Sequence, residues 1–144
     1  MYRTDAGRGA SVIPRYSRIK RTRTPKAKER AVMIAEADAL TKKLLIAERG
    51  EKCEVDNCGA LPIYSAHIKS KGPYKLLRFE KQNLLLLCYR HHIEWAHKEP
   101  DDFIQWIELK WPGRLQMLRE FAATAAKCDL KLLLIVLRDE VSKI

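Results

Sequence analysis

The sequence predicts an α+β fold in which a small β-hairpin and a metal-binding centre are held between α-helices. Short apolar segments at 63–68 and 84–87 have the length of strands, whereas the flanking chain repeats apolar residues at helical spacing. All four histidines and three of the four cysteines lie between Cys53 and His97, in and around those segments. A chain of 144 residues is the size of one ordinary domain.

The helices are predicted from capping residues and from periodicity. Thr24 and Pro25 begin a helix over 25–49, which Gly50 ends. Another helix is expected from 88 to about 96, a third from Pro100 to before 111, and a fourth around 115–122. The last, over 130–141, is apolar enough to predict that it is largely buried. We therefore expect a basic flexible arm over 1–24 and one domain over 25–144, made of a leading helix (25–50), a metal-binding core (51–100) and C-terminal helices (101–144).

The net charge of +10 is concentrated in the first thirty residues, which hold ten Lys or Arg against two acids. A basic arm on a nearly neutral domain is typical of proteins that bind nucleic acid, because each phosphate contact releases counterions. A solvated leader and an organelle transit peptide are the alternatives, and Pro14 interrupts the amphipathic helix that the latter needs. The arm residues expected to contact nucleic acid are Arg18, Lys20, Arg21 and Arg23.

No apolar run in the sequence approaches the roughly 18 residues that a membrane span needs. No secretory signal is visible at the N-terminus either. We therefore expect a cytoplasmic protein without a membrane partner. In that reducing compartment the cysteines are better interpreted as metal ligands than as disulfides.

Two pairs of soft ligands flank a loop of about thirty residues and predict a structural zinc site. Cys53 and Cys58 form the first pair, and Cys88 and His91 form the second. Three sulfurs and one imidazole suit a tetrahedral zinc ion, and both spacings are usual for such sites. The alternative is that these cysteines are small buried residues, which is our interpretation of Cys128 on its apolar helix.

The segments Ser65-Ala66-His67-Ile68, Asn83 to Cys88 and His91-His92 resemble the HNH (ββα-metal) endonuclease superfamily. This resemblance, which covers about residues 53–100, implies a hairpin-helix core with a zinc knuckle, flanked by α-helices. It also implies that His67 is the general base, that Asn83 fixes the hairpin, and that His92 and His97 bind a catalytic divalent cation such as Mg²⁺, Mn²⁺, Ni²⁺ or Zn²⁺. Those residue types suit phosphodiester hydrolysis, which needs a deprotonated water and a cation.

A narrower resemblance links the chain to small phage-encoded HNH proteins, including the recombination-associated NinG (Rap) group. It is carried by Arg78-Phe79-Glu80 and by the segment from Trp95 to Pro100. It implies a phosphate path lined by Lys69, Lys71, Lys75 and Arg78, and the cytoplasm of a bacterium or of a phage-infected host cell as the setting. An ordinary solvated loop is the alternative for the three lysines.

Two positions depart from the family pattern. Many members carry Asp or His directly before the base, where this chain has Ala66, so either fewer protein groups hold the ion or His67 is itself a ligand. His97 follows His92 by five residues rather than four, which on a regular helix turns the two side chains about 140° apart. His97 reaches the same ion only if the helix ends or bulges near Ala96, and Glu94 is the alternative ligand.

These features together predict a metal-dependent HNH endonuclease that hydrolyses DNA phosphodiester bonds. The second interpretation is a non-catalytic, zinc-stapled DNA-binding module on a degenerate nuclease fold, which Ala66 favours. A third is a helical interaction protein with a purely structural zinc. The form of DNA and the oligomeric state are left open by the sequence.

Overall fold

The computed structural model describes residues 23–72, 74–125 and 127–144, so the predicted arm contacts Arg18, Lys20 and Arg21 lie outside the described residues. The predicted α+β class is confirmed: helices surround a two-stranded antiparallel sheet. In chain order the elements are α1 (Pro25–Arg49), β1 (Tyr64–His67), two 3-10 turns (Lys75–Leu77 and Lys81–Asn83), β2 (Leu84–Leu87), a π-helix (Arg90–Ala96), α2 (Pro100–Lys110), α3 (Arg114–Thr124) and α4 (Leu130–Ser142).

Helix α1 begins and ends where its capping residues predict. The Thr24 hydroxyl accepts a hydrogen bond from the Ala27 amide at 3.3 Å, and Pro25 occupies the first helical position. At the other end Gly50 adopts φ 84°, and its amide donates to the Ile46 carbonyl. A positive φ is accessible to glycine without strain, which explains why the helix stops there.

The two strands pair in antiparallel register, with Tyr64 opposite Leu87 and His67 opposite Leu84. All four residues of β2 are buried, which accounts for a strand without polar alternation. The buried side chain of Asn83 accepts from the Lys69 amide at 2.7 Å and donates to the Lys69 and Leu77 carbonyls, both at 3.0 Å. Asn83 therefore ties the end of β1 and the following loop to the start of β2.

Two arginines hold the chain as it enters β2. Arg49 at the end of α1 donates to the carbonyls of Lys81 at 2.9 Å and Leu84 at 2.8 Å. Arg114 at the start of α3 is buried and donates to the Gln82 carbonyl at 2.7 Å. Burial lowers the pKa of Arg114 to about 10, so its guanidinium stays charged at neutral pH. These bonds satisfy backbone carbonyls of a segment that, among the described residues, pairs with one strand.

The described residues form three clusters of buried apolar side chains. Residues of the sheet pack with α2 and α3, principally Leu77, Leu85, Leu87, Ile107 and Leu118. A second cluster joins α1 to α4 through Ala37, Leu44, Leu134 and Leu137. A third cluster packs Leu45 of α1 against Leu84 and Leu86 of β2. The sheet is thus supported by α2, α3 and α1, while α4 rests on α1.

The prediction that the last helix is largely buried was wrong. Leu134 and Leu137 face α1 and are buried, but Leu132 and Ile135 are 60% and 62% exposed. The helix packs as a single outer layer on α1, so only one of its faces is covered. Cys128 lies before α4 rather than on it and is exposed, which also corrects its interpretation as a buried hydrophobe. No helix among the described residues is both long and apolar enough to cross a bilayer.

The two faces of α4 give a direct test of this packing. Replacing buried Leu134 by Ala should lower the free energy of unfolding by about 2–4 kcal/mol, because it removes methyl groups and leaves a cavity. The same replacement at exposed Leu132 should change it by less than about 0.5 kcal/mol. Urea denaturation of both variants measures the difference. Equal losses would contradict the described position of α4.

Candidate metal centre and histidine cavity

A tight turn brings the first two thiols together. The Cys53 amide donates to the Ala60 carbonyl at 2.8 Å, and the Cys58 amide donates to the Val55 carbonyl at 3.2 Å. Within this turn Asn57 and Gly59 adopt positive φ values of 58° and 65°. Asparagine and glycine tolerate the left-handed region better than other residues, so the local sequence favours this turn.

The four predicted zinc ligands converge. Their ligand atoms all lie within 4.8 Å of one another, although Cys53 and Cys58 precede β1 and Cys88 and His91 follow β2. The Sγ atoms of Cys58 and Cys88 are 3.8 Å apart, and His91 Nδ1 lies 3.4 Å from both the Cys53 and the Cys88 Sγ atoms. Around a tetrahedral zinc, two sulfurs lie about 3.8 Å apart and a sulfur and a nitrogen about 3.6 Å apart. This Cys3His group can therefore hold a metal ion such as zinc.

The surroundings of these ligands attach them to the rest of the fold. The Glu54 carboxylate accepts from the Leu86 amide at 3.0 Å and pairs with Arg49 at 3.1 Å. Lys110 donates to the Glu54 carbonyl and to the Asp56 carboxylate, both at 2.7 Å. The His91 ring lies edge-on to Trp95 at 5.8 Å. Sequence reasoning missed Glu54, because its partners on α1 and β2 are distant in the sequence.

Protonation of the ligands depends on their different surroundings. Burial raises the pKa of Cys53, so that thiol is neutral near pH 7 unless a cation displaces its proton. A hydrogen bond from the Ala60 backbone lowers the pKa of the Cys58 thiol. Burial lowers the pKa of His91, which favours the neutral imidazole that a metal ion needs.

His67 ends β1 and is half-buried, with a defined hydrogen-bond partner. Its Nε2 lies 3.0 Å from the Arg78 carbonyl oxygen. A carbonyl only accepts, so Nε2 carries the proton of the neutral ring and Nδ1 retains the lone pair. Burial lowers the pKa of His67, and the nearby charge of Lys71 acts in the same direction. His67 is therefore neutral at pH 7, with Nδ1 able to accept a proton.

His92 and His97 meet because the helix that carries them is a π-helix. The His97 amide donates to the His92 carbonyl at 3.2 Å, an i to i+5 bond that brings residues five apart onto one face. Their Nε2 atoms lie 3.1 Å apart. Two nitrogens bound to one ion are about 3.0 Å apart in octahedral and about 3.4 Å apart in tetrahedral geometry. The bulge on which the His97 assignment depends is therefore present, while Glu94 is exposed.

One cavity of about 280 Å³ contains all three of these histidines. Ala66 and Ile68 of the hairpin, Phe103 and Ile104 of α2, and the residues His67, His92 and His97 line it. Within the described part of the chain, His92 Nδ1 is the buried side-chain polar atom without a hydrogen-bond partner. Ala66 contributes no ligand atom, so among the described lining residues the imidazoles are the groups that could bind a metal ion.

The predicted phosphate contacts differ in their surroundings. Lys71 and Lys75 are exposed, and so is Arg23 of the predicted arm. The Lys69 ammonium lies 5.7 Å from the centre of the Tyr74 ring. The guanidinium of Arg78 donates to both carboxylate oxygens of Asp38, at 3.0 and 2.6 Å, so its charge is partly compensated. Asp38, on α1, is a partner that the sequence pattern did not identify.

Comparison of the chain with protein-family models, with curated proteins and with solved structures finds no match.

The four-ligand centre predicts the metal content of the protein. Purified protein should contain one zinc per chain, and Cys58→Ser should lose it because three ligands bind zinc more weakly than four. Cys128→Ser, which alters an exposed cysteine outside the cluster, should retain one zinc. Elemental mass spectrometry measures both. A strong chelator should also reduce the circular dichroism signal, because metal binding and folding are coupled in such sites.

Equal zinc content in the two serine variants would contradict this assignment of the ligands. A circular dichroism spectrum unchanged by the chelator would contradict the structural role of the ion.

Proposed function

We propose that this protein is a metal-dependent HNH endonuclease that hydrolyses phosphodiester bonds in DNA. The observation that carries the proposal is the joint presence of His67 and the His92–His97 pair in one cavity. The order of the elements around it, two antiparallel strands followed by a helix, is that of the ββα core which the resemblance implies. The concentration of Lys and Arg in the first thirty residues supports a polyanionic substrate.

In this proposal His67 is the general base. Its Nδ1 accepts a proton from the attacking water, while Nε2 keeps its hydrogen bond to the Arg78 carbonyl. That carbonyl stabilises the imidazolium which forms, because its oxygen carries partial negative charge. His92 and His97 hold a divalent cation, which when bound stabilises negative charge on the phosphate and on the leaving oxygen.

Two residues position the base without touching substrate. Asn83 ties the end of β1, where His67 lies, to the start of β2 by three hydrogen bonds. Asp38 fixes Arg78 by two hydrogen bonds from the guanidinium, and Arg78 in turn presents its carbonyl to His67. The base is thus oriented from both the hairpin and α1, as an effective general base requires.

The second candidate is a zinc-stapled DNA-binding module that does not cleave. Ala66 favours it, because its methyl group lines the cavity where the family pattern has another ligand. Two imidazoles hold a cation more weakly than three protein ligands do. The nuclease proposal therefore requires water and substrate phosphate to complete the coordination, as is usual for hard divalent cations.

Cleavage and metal affinity together separate the two candidates. With Mg²⁺, Mn²⁺, Ni²⁺ or Zn²⁺ the protein should nick supercoiled plasmid, and His67→Ala should slow nicking by at least about 100-fold because the base is lost. His67→Ala should retain the affinity for Mn²⁺, whereas His92→Ala should lose both affinity and cleavage. Agarose gels and Mn²⁺ titration followed by electron paramagnetic resonance measure these effects.

Plasmid nicking that is equal in wild type and in identically purified His67→Ala would point to a contaminant and contradict the assignment of the base. DNA binding without nicking under any of the four cations would favour the binding module.

In the profile of cleavage rate against pH, the midpoint of the loss of activity towards acid should lie below pH 6.5. The folded-state pKa of His67 is lowered by burial, so the ring is neutral in more than half of the molecules at pH 6.5 and becomes half-protonated only at a lower pH. The rate should then fall about tenfold per pH unit. Single-turnover nicking at saturating metal, with zinc content checked at each pH, measures this midpoint. A midpoint above pH 6.5 would contradict the described environment of His67.

A further inference from the structure

Arg78, whose carbonyl contacts His67, also lines a second concave surface. It is a groove of about 380 Å³ between α1, Lys71 with residues 75–79, and the start of α4 with the two residues Lys127 and Cys128. We call it the basic groove. It is separate from the histidine cavity, with which it shares none of its lining residues.

The walls of the basic groove are cationic. Among the described residues, five Lys or Arg side chains line it and no carboxylate does, the five being Arg30, Lys71, Lys75, Arg78 and Lys127. Asp38 compensates Arg78, but the other four are exposed. They come from three separate parts of the chain, so the fold collects charge that the sequence spreads over about a hundred residues. Such a cluster attracts a polyanion.

Apolar side chains complete the groove. The apolar lining residues are Ile34, Leu76, Phe79 and Leu130, each partly buried. The Arg78 guanidinium lies 5.7 Å from the centre of the Phe79 ring, which places cation and aromatic surface side by side. A lining of phosphate-binding cations with an aromatic and aliphatic surface is the combination by which proteins hold unpaired nucleotides.

We propose that the basic groove binds an unpaired segment of DNA, its phosphates on the lysines and arginines and its bases against the apolar surface. A duplex keeps its bases stacked inside and offers phosphates and base edges, so the apolar surface adds little to duplex binding. An unpaired strand exposes the faces of its bases and uses both parts of the groove. The identification of the ligand as DNA rests on the proposed function, whereas the preference for an unpaired strand rests on the lining.

The position of the basic groove relates it to the proposed reaction. Residues 75–79 border the groove, and Arg78 in this segment supplies the carbonyl that accepts the hydrogen bond from His67 Nε2. Lys71 and Arg78 are near enough to His67 for their charges to lower its pKa. A strand held in the groove therefore lies next to the segment whose carbonyl orients His67.

The test compares two pairs of charge removals with the same chemistry. Lys75→Gln/Lys127→Gln alters the groove, and Lys43→Gln/Lys52→Gln removes two exposed lysines outside it. Fluorescence anisotropy with a labelled oligothymidine, without added divalent cation, should show about tenfold weaker binding for the groove pair. The slope of log affinity against log salt should fall by about 1.4, since each single-strand phosphate contact contributes about 0.7. The control pair should change the slope by less than half of that.

Cys128 provides an independent readout because it lines the basic groove and is exposed. Oligothymidine should slow alkylation of Cys128 in the zinc-loaded protein, and a duplex of equal length and concentration should slow it less. Equal losses of affinity in the two lysine pairs, equal affinity for single strand and duplex, or unchanged alkylation would each overturn the proposal. None of these measurements requires cleavage, so failure of the nuclease proposal is seen separately, in the His67→Ala comparison.

Discussion

Four ligand atoms from two distant parts of the chain meet within 4.8 Å, and the geometry of the histidine cavity depends on that convergence. The turn holding Cys53 and Cys58 precedes the hairpin, whereas Cys88 and His91 directly follow β2. A metal ion bound there fixes where the π-helix starts relative to the sheet. Because His92 is the next residue after His91, its direction follows from the same constraint. An ion held by the four ligands would thus also help to position His92 and His97.

The histidine cavity combines features that separately have ordinary structural explanations. A carbonyl bond selects the tautomer of His67, burial keeps that ring neutral, and a π-helix turns His97 towards His92. The i to i+5 hydrogen bonds of a π-helix are rare in proteins and are found frequently at functional sites. Under the proposed function, His67 would supply the base, the His92–His97 pair would hold the cation, and the basic groove would hold the DNA strand.

Local pattern sufficed for much of the fold and for the four-ligand centre. Thr24, Pro25 and Gly50 predicted the bounds of α1, and paired soft ligands predicted the convergence at Cys53 and His91. Features that depend on packing were not predictable. The burial of α4 was overestimated because an apolar composition does not say how many faces have a neighbour. The Asp38–Arg78 pair and the basic groove join parts of the chain far apart in sequence, and no spacing rule links them.

Locating the second cation tests the central claim most directly. A crystal structure of zinc-loaded protein soaked in Mn²⁺, with anomalous data that distinguish the two metals, would identify each ion. We predict zinc in the cluster of Cys53, Cys58, Cys88 and His91, and manganese bound by Nε2 of His92 and of His97, with His67 Nδ1 facing its water. Manganese absent from the histidine cavity, or His67 turned away from the cation, would contradict a hydrolytic role and leave a zinc-stapled protein without a catalytic centre.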